Sequence, residues 1–243
     1  MTRRCLSRLI PALLVAAACT STTMAHYLWV TVDAKTGKNG TTNIYFEGGP
    51  GPGDGQYLDP FIKRGKTWIR TAKKPKTLKL VVAKKPGKRW LSASLPTRGP
   101  RSIDSFAMWG VYRYGKTDVL LHYYARHIEF TDADSLKRLA RAPQLDLEIV
   151  PQSTEASFKF QVLWHGKPLA GRPVAIRGAG GYTANLKTDS NGLASFPVAK
   201  AGRYTLKTNL DEPDKSGTQD GKTYDIKRHH GTLVINLPTP TAG

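Results

Sequence analysis

The sequence predicts an all-β protein, arranged as two tandem β-sandwich domains behind a cleaved leader. Three observations carry this. Apolar and polar residues alternate with period two in run after run, the pattern of half-buried strands. The runs are cut by Gly, Pro and Asn, and the chain is rich in such residues, with 23 Gly and 16 Pro. Only residues 132–141 have the spacing of an amphipathic helix.

Residues 1–25 read as a secretory signal peptide. Arg3, Arg4 and Arg8 form a positive start, residues 9–18 are apolar apart from Pro11, and Thr23-Met24-Ala25 is the exit. The apolar run is too short for a membrane span, which needs about 20 residues. The expectation is a periplasmic or extracellular protein, soluble or peripherally attached. Val15-Ala16-Ala17-Ala18-Cys19 offers a lipoprotein cut instead, but position 16 would usually be a larger aliphatic residue, so cleavage after Ala25 is favoured. Both cysteines, Cys5 and Cys19, lie in the leader. The mature chain then has no thiol, which removes disulfide, zinc-finger, Fe–S and thiol-nucleophile chemistry. The 218 residues left of 243 are enough for an unaided core in one or two domains.

In the first half, strands are expected at 27–33, 42–47, 66–71, 77–83, 89–95, 107–112 and 117–126. The Gly/Pro segment 48–55 fits neither helix nor ladder. The helix at 132–141 starts at a cap, Asp132 or Asp134, shows Leu136, Leu139 and Ala140 as its stripe, and ends before Pro143. A strand at 145–150 leads to a boundary at 151–155, giving domains at 26–150 and 151–238. In the second half Phe158, Phe160, Val162 and Trp164 alternate with polar residues. A turn at 165–168, a strand at 173–177, an Asn191-Gly192 hairpin turn and strands around Phe196 and Val198, 202–206 and 232–237 follow. Residues 209–224 read as a long polar loop, the kind of segment that often carries function, and 239–243 as a disordered tail.

The formal charge of +19 falls to +16 once the three leader arginines are removed. Much of it is concentrated in Lys63, Arg64, Lys66, Arg70, Lys73, Lys74, Lys76, Lys79, Lys84, Lys85, Lys88 and Arg89, a stretch without one acidic residue. Such a face attracts polyanions. Export argues against nucleic acid, so an anionic envelope polymer or lipid surface is the expected partner. The plainer reading is a solvated face that keeps the protein in solution.

No hydrolase, zinc-protease, P-loop or dinucleotide signature is present, so no enzyme activity is expected. The informative residue is His26. Cleavage after Ala25 makes it the first residue of the mature chain, offering its α-amine and ring Nδ1 to one metal ion; a further histidine then completes three nitrogens suited to copper or nickel. His165 falls in a polar turn and reads as a surface residue, and His122, among apolar neighbours, as a core histidine. If the last strand has no bulge, His229 shares its side with Leu233, Ile235 and Leu237 and faces the core. His230 then shares the polar side with Thr232 and Asn236. Glu47 is expected near His26 if the first two strands pair.

Several segments occur in a particular order: Ala25-His26-Tyr27-Leu28-Trp29-Val30, Tyr45-Phe46-Glu47, Val119-Leu120-Leu121-His122-Tyr123-Tyr124-Ala125, Leu147-Glu148-Ile149-Val150-Pro151, Asp220-Gly221-Lys222-Thr223-Tyr224 and Arg228-His229-His230-Gly231-Thr232-Leu233. Together they resemble a bacterial domain-of-unknown-function family described as a nickel-uptake substrate-specific region. The resemblance implies an exported protein linked to transition-metal uptake, with a metal-uptake transporter as partner. It also implies a second histidine in an Arg-His-Tyr-x-Thr-Leu motif. Here His229 matches that histidine and His230 replaces the tyrosine, so either is a candidate ligand. The second half, through residues 166–171, 188–192 and 202–206, resembles the Ig-like or transthyretin-like, carboxypeptidase-regulatory-like sandwich, an accessory and non-catalytic domain type.

The expectation is therefore a protein that binds nickel or copper through His26, His229 or His230, and Glu47. The alternatives are an envelope protein binding anionic polymers through its basic face, and a copper oxidase using the same chelate.

Overall fold

The computed structural model describes residues 26–238 apart from 73, 155 and 156; the expected leader and tail lie outside the described residues. In chain order the first half contains β1 (Tyr27–Asp33), β2 (Thr41–Glu47), α1 (Asp59–Arg64), β3 (Lys66–Arg70), β4 (Lys76–Thr77), β5 (Val81–Lys85), β6 (Lys88–Ser94), β7 (Arg101–Tyr114), β8 (Thr117–Glu129) and α2 (Ala133–Leu139). The second half contains β9 (Leu147–Ser153), β10 (Phe158–Trp164), β11 (Lys167–Pro168), β12 (Pro173–Arg177), β13 (Thr183–Lys187), β14 (Leu193–Phe196), β15 (Gly202–Glu212), β16 (Gly217–Gln219), β17 (Lys222–Tyr224) and β18 (Ile226–Leu237).

The protein is mostly β, as its alternation implies. Its spine is an eight-stranded sheet in the order β13-β12-β15-β18-β8-β7-β3-β4. Both faces are covered over the middle strands, β18 and β8. On one face lies the sheet β1-β2-β6-β5, where Leu28, Val30, Ile44 and Phe46 pack on Ile103, Leu121 and Tyr123. On the other face lie β9, β10 and β14, where Phe158, Phe160 and Phe196 pack on Leu233, Ile235 and Tyr204.

The two halves meet in the middle of this spine. β18 runs parallel to β8, from Ile226 beside Val119 to Ile235 beside Ile128. The core against β9 and β10 takes Tyr124, Ile128, Leu136 and Leu139 from the first half and Phe158, Val174 and Leu233 from the second. The boundary expected at 151–155 begins inside β9, and the expectation of separately packed cores does not describe this packing. β9 and β10 are antiparallel partners in one sheet, and their side chains share a core with the spine, so the composition change between them falls within a single layer and not between two domains.

The expected polar loop at 209–224 is largely strand: β15 continues to Glu212, β16 and β17 form a hairpin, and β18 begins at Ile226. Its residues pair by backbone hydrogen bonds at a rim of the sheet with little apolar burial, so no alternation betrays them. α1 is likewise absent from the sequence reading, because it is a single short helix that buries only Phe61.

α2 follows the sequence closely. The Asp132 carboxylate accepts from the Ser135 N–H at 2.7 Å, and the Ser135 hydroxyl accepts the Asp132 N–H at 3.2 Å, a reciprocal cap. Its last carbonyls, which a helix leaves unpaired, accept from buried guanidiniums. Arg126 donates to Leu139 at 3.0 Å and to Ala140 at 2.6 Å, and Arg70 donates to Leu139 at 2.8 Å.

Candidate functional site

His26 precedes β1, and Glu47 ends β2, opposite Tyr27 in the hairpin register. The His26 Nε2 lies 3.8 Å from a Glu47 carboxylate oxygen, within ion-pair reach but longer than a hydrogen bond. The imidazole sits among aromatic rings, 5.6 Å from Phe46 and 5.4 Å from Tyr57 between centroids. The Gly/Pro segment after β2 wraps the Glu47 carboxyl. Gly55 donates its N–H to Oε1 at 3.3 Å, and a Cβ on Gly53 would lie 2.2 Å from that carboxyl. Gly53 is there because the backbone passes against the carboxylate.

The other two candidate histidines separate. β18 has no bulge against β8, and His229 lies on the side of Leu233 and Ile235 as its parity implies. That side faces β9 and β10. β1 packs on the opposite side, where Thr232 donates its hydroxyl to the Leu28 carbonyl at 2.6 Å. His26 and His229 are therefore divided by the sheet and do not converge on one ion. His229 is engaged instead: its Nε2 lies 2.9 Å from Glu212, its Nδ1 lies 3.2 Å from the Tyr124 hydroxyl, and its ring stacks on His122 at 4.9 Å. Burial lowers its pKa, with Glu212 opposing.

His230 does point to the side of β1. The side expected to be polar is buried there, because β1 and β2 cover it, leaving His230, Thr232 and Val234 nearly inaccessible. Its ring stacks on Tyr123 at 4.8 Å and meets Tyr27 edge-on at 5.1 Å. Neither ring nitrogen has a hydrogen-bond partner among the described residues, and burial pushes its pKa down to about 3. Tyr123 in turn packs against Phe46, which packs against His26, so aromatic rings stand between the two histidines. Among the described residues no group of three or more His, Cys, Asp or Glu side chains is arranged to hold a metal ion.

His122 is partly buried with Nδ1 unpartnered among the described residues, and burial followed by His229 pushes its pKa down to about 4. His165 is an exposed turn residue beside Asp146 at 3.2 Å. Glu212, Asp146 and Tyr124, which surround His229, escaped the sequence reading. Glu212 fell in the segment read as loop; extending the alternation of β15 past Thr208 would have paired it with the start of β18.

The basic stretch divides in the same way. Lys63, Lys66, Lys74, Lys76, Lys79, Lys84, Lys85 and Lys88 are exposed. Arg70 does not belong with them: it is buried against Asp104 at 3.2 Å, because its side chain points into the spine. Arg64 is paired with Asp220, and Arg89 with Asp59 at 2.6 Å. Lys73 lies outside the described residues.

Fold and site together define a layered β-sandwich protein with histidines on both sides of the β8–β18 pair and one histidine–carboxylate pair at the head of β1. The chain belongs to the family described as Domain of unknown function (DUF4198), whose model matches residues 23–212. The Arg228–Leu233 segment lies beyond the matched residues. No curated protein matches the chain. Among solved structures it is similar to the BSP domain of a biofilm associated protein, at 12% identity over 84% of this chain and 28% of that one, with a TM-score of 0.21. It is also similar to the D0-D1 domain of Intimin, at 12% identity over 87% and 97% with a TM-score of 0.24, and to chicken CNTN1 FN1-FN3 domains, at 8% identity over 89% and 69% with a TM-score of 0.21. Superpositions this distant carry no functional inference.

Proposed function

We propose that the mature chain is an exported, non-catalytic transition-metal-binding protein, taking nickel or copper at an N-terminal His26 and serving metal uptake or buffering. The observation that supports this reading is the Glu47 carboxylate 3.8 Å from His26 Nε2. When a histidine binds metal through one ring nitrogen, the other is commonly oriented by a carboxylate. In this reading Nδ1 and the α-amine form the chelate, and Glu47 holds the ring in place. The arrangement requires cleavage after Ala25.

Metal titrations of the mature protein test it. An N-terminal amine has a pKa near 8 and must lose its proton to bind, so affinity rises with pH through the neutral range. One added residue ahead of His26 moves the amine away and removes most of the affinity, and Glu47→Gln weakens binding about tenfold or more. His229→Ala and His165→Ala leave it unchanged. An extended N-terminus that binds either metal as tightly as the native one sinks the proposal.

A second reading rests on the eight exposed lysines: this face would hold an anionic envelope polymer or lipid surface, independently of any metal.

A further inference from the structure

Beyond Trp29, the face of the spine that carries the β1–β2 hairpin continues over β12, β13 and β15 and forms a cleft of about 320 Å3. The strand register dictates what rises into it. Ala175 lies opposite Lys207 on one side and Asn185 on the other, and Arg177 lies opposite Thr205 and Thr183. In-register neighbours share a face, so Ala175 is a low floor between longer polar side chains. Trp29 and the segment Gly48-Gly49-Pro50 make the wall.

The lining contains two cations and no carboxylate. Diagonal neighbours across a strand pair stand about 7–8 Å apart at the backbone, close enough for Arg177 and Lys207 to reach one ligand. The Lys207 ammonium lies 4.4 Å from the Tyr27 ring centroid, and neither cation has an acidic partner among the described residues. Burial, and then Arg177, lower the Lys207 pKa. This is the signature of positive charge held without its counter-charge. Thr183, Thr205 and Asn185 add groups that can accept and donate, beside an apolar wall. Pockets of about 300–1,000 Å3 suit small ligands.

We propose that this cleft binds a small hydroxylated carboxylate of the sugar-acid type, its carboxylate between Lys207 and Arg177 and its hydroxyls on Thr183, Thr205 and Asn185. The site is separate from His26 and does not depend on metal.

Calorimetric titration of the mature protein, with a chelator present and at low salt, tests it with galacturonate as the probe. Galactose, which has the same ring without the carboxylate, and inorganic phosphate, an oxyanion without the ring, are the comparisons. Galacturonate should bind at least about tenfold more tightly than either. Lys207→Met and Arg177→Gln should each cost about tenfold. Ala175→Leu fills the floor without changing charge and should remove binding while the thermal midpoint shows a folded protein. Lys84→Ala with Lys85→Ala should change nothing. Galacturonate that binds no better than galactose overturns the proposal. So does phosphate that binds as tightly, which would mean a simple charge effect, or affinity that survives both Ala175→Leu and Lys207→Met.

Discussion

Asp104 shows how single residues hold this fold. It is fully buried and accepts from Arg126 Nε at 3.0 Å, Arg70 Nε at 3.2 Å, Gln144 Nε2 at 2.8 Å and the Ser102 hydroxyl at 2.5 Å. The same two guanidiniums cap α2, so one carboxylate ties β3, β7 and β8 to the helix. Asp104→Ala strands two buried cations and should cost about 3–5 kcal/mol in urea unfolding; a loss below about 1 kcal/mol would show that water reaches the site. His127 makes the opposite kind of site. It is 2% exposed, neither ring nitrogen has a partner among the described residues, and burial, with Arg203 and Arg101 adding, pushes its pKa down to about 3. The unfolded chain takes up this proton near pH 6.5, and the folded chain only near 3. Stability is therefore full above about pH 6.5 and falls as pH drops, by about 1.4 kcal/mol per pH unit for one such group. From pH 7 to 5 the native protein should lose about 2 kcal/mol more than His127→Leu. A difference between the two proteins that does not change with pH would refute this.

At the scale of elements, the segment after β2 and the β8–β18 pair matter most. The segment looks like an idle Gly/Pro loop until Gly53 is placed against the Glu47 carboxyl. Gly53→Ala must push Glu47 aside, so metal affinity should fall to the level of Glu47→Gln while an unrelated surface change, Gly37→Ala, leaves it alone. Equal affinity in Gly53→Ala and native protein would separate Glu47 from the metal. β18 sits between β15 and β8, buried on both sides. A fragment from Pro151 to the C-terminus deletes β8, the first half of β9 and the covering β1–β2 hairpin. It exposes Val234 and His230 and should show no cooperative unfolding transition. A sharp thermal transition from that fragment would mean that the second half folds without its parallel neighbour.

Over the whole molecule, much of the exposed positive charge is gathered in one stretch of the chain. The exposed lysines between 63 and 88 lie along α1, β3–β6 and their connections, away from the His229 cluster. Binding to heparin or anionic vesicles should weaken steeply from low to physiological salt, where screening shortens to about 8 Å. Arg70→Gln should leave that binding unchanged because Arg70 is interior, whereas Lys84→Ala with Lys85→Ala should weaken it. Binding that is absent at low salt would leave the lysines a role in solubility alone.

The all-β character, β1 in full, a helix cap at Asp132 or Asp134 and the parity of His229 were legible in the sequence, because each depends on neighbours within a few residues: period-two alternation, a side chain three positions from its N–H, an unbroken strand. The structure puts the cap at Asp132. The near approach of Glu47 to His26 follows from hairpin pairing, also a local event. The division of His26 from His229, the burial of His230 and the withdrawal of Arg70 from the basic face were decided by the tertiary structure. The first two turn on a strand from one end of the chain lying parallel to one from its middle, with a second sheet on each side; Arg70 is drawn inward by Asp104 on β7 and the Leu139 carbonyl at the end of α2. Alternation says that a strand has two sides. Only the packing of distant strands says which side is covered, by what, and whether the other side is covered as well.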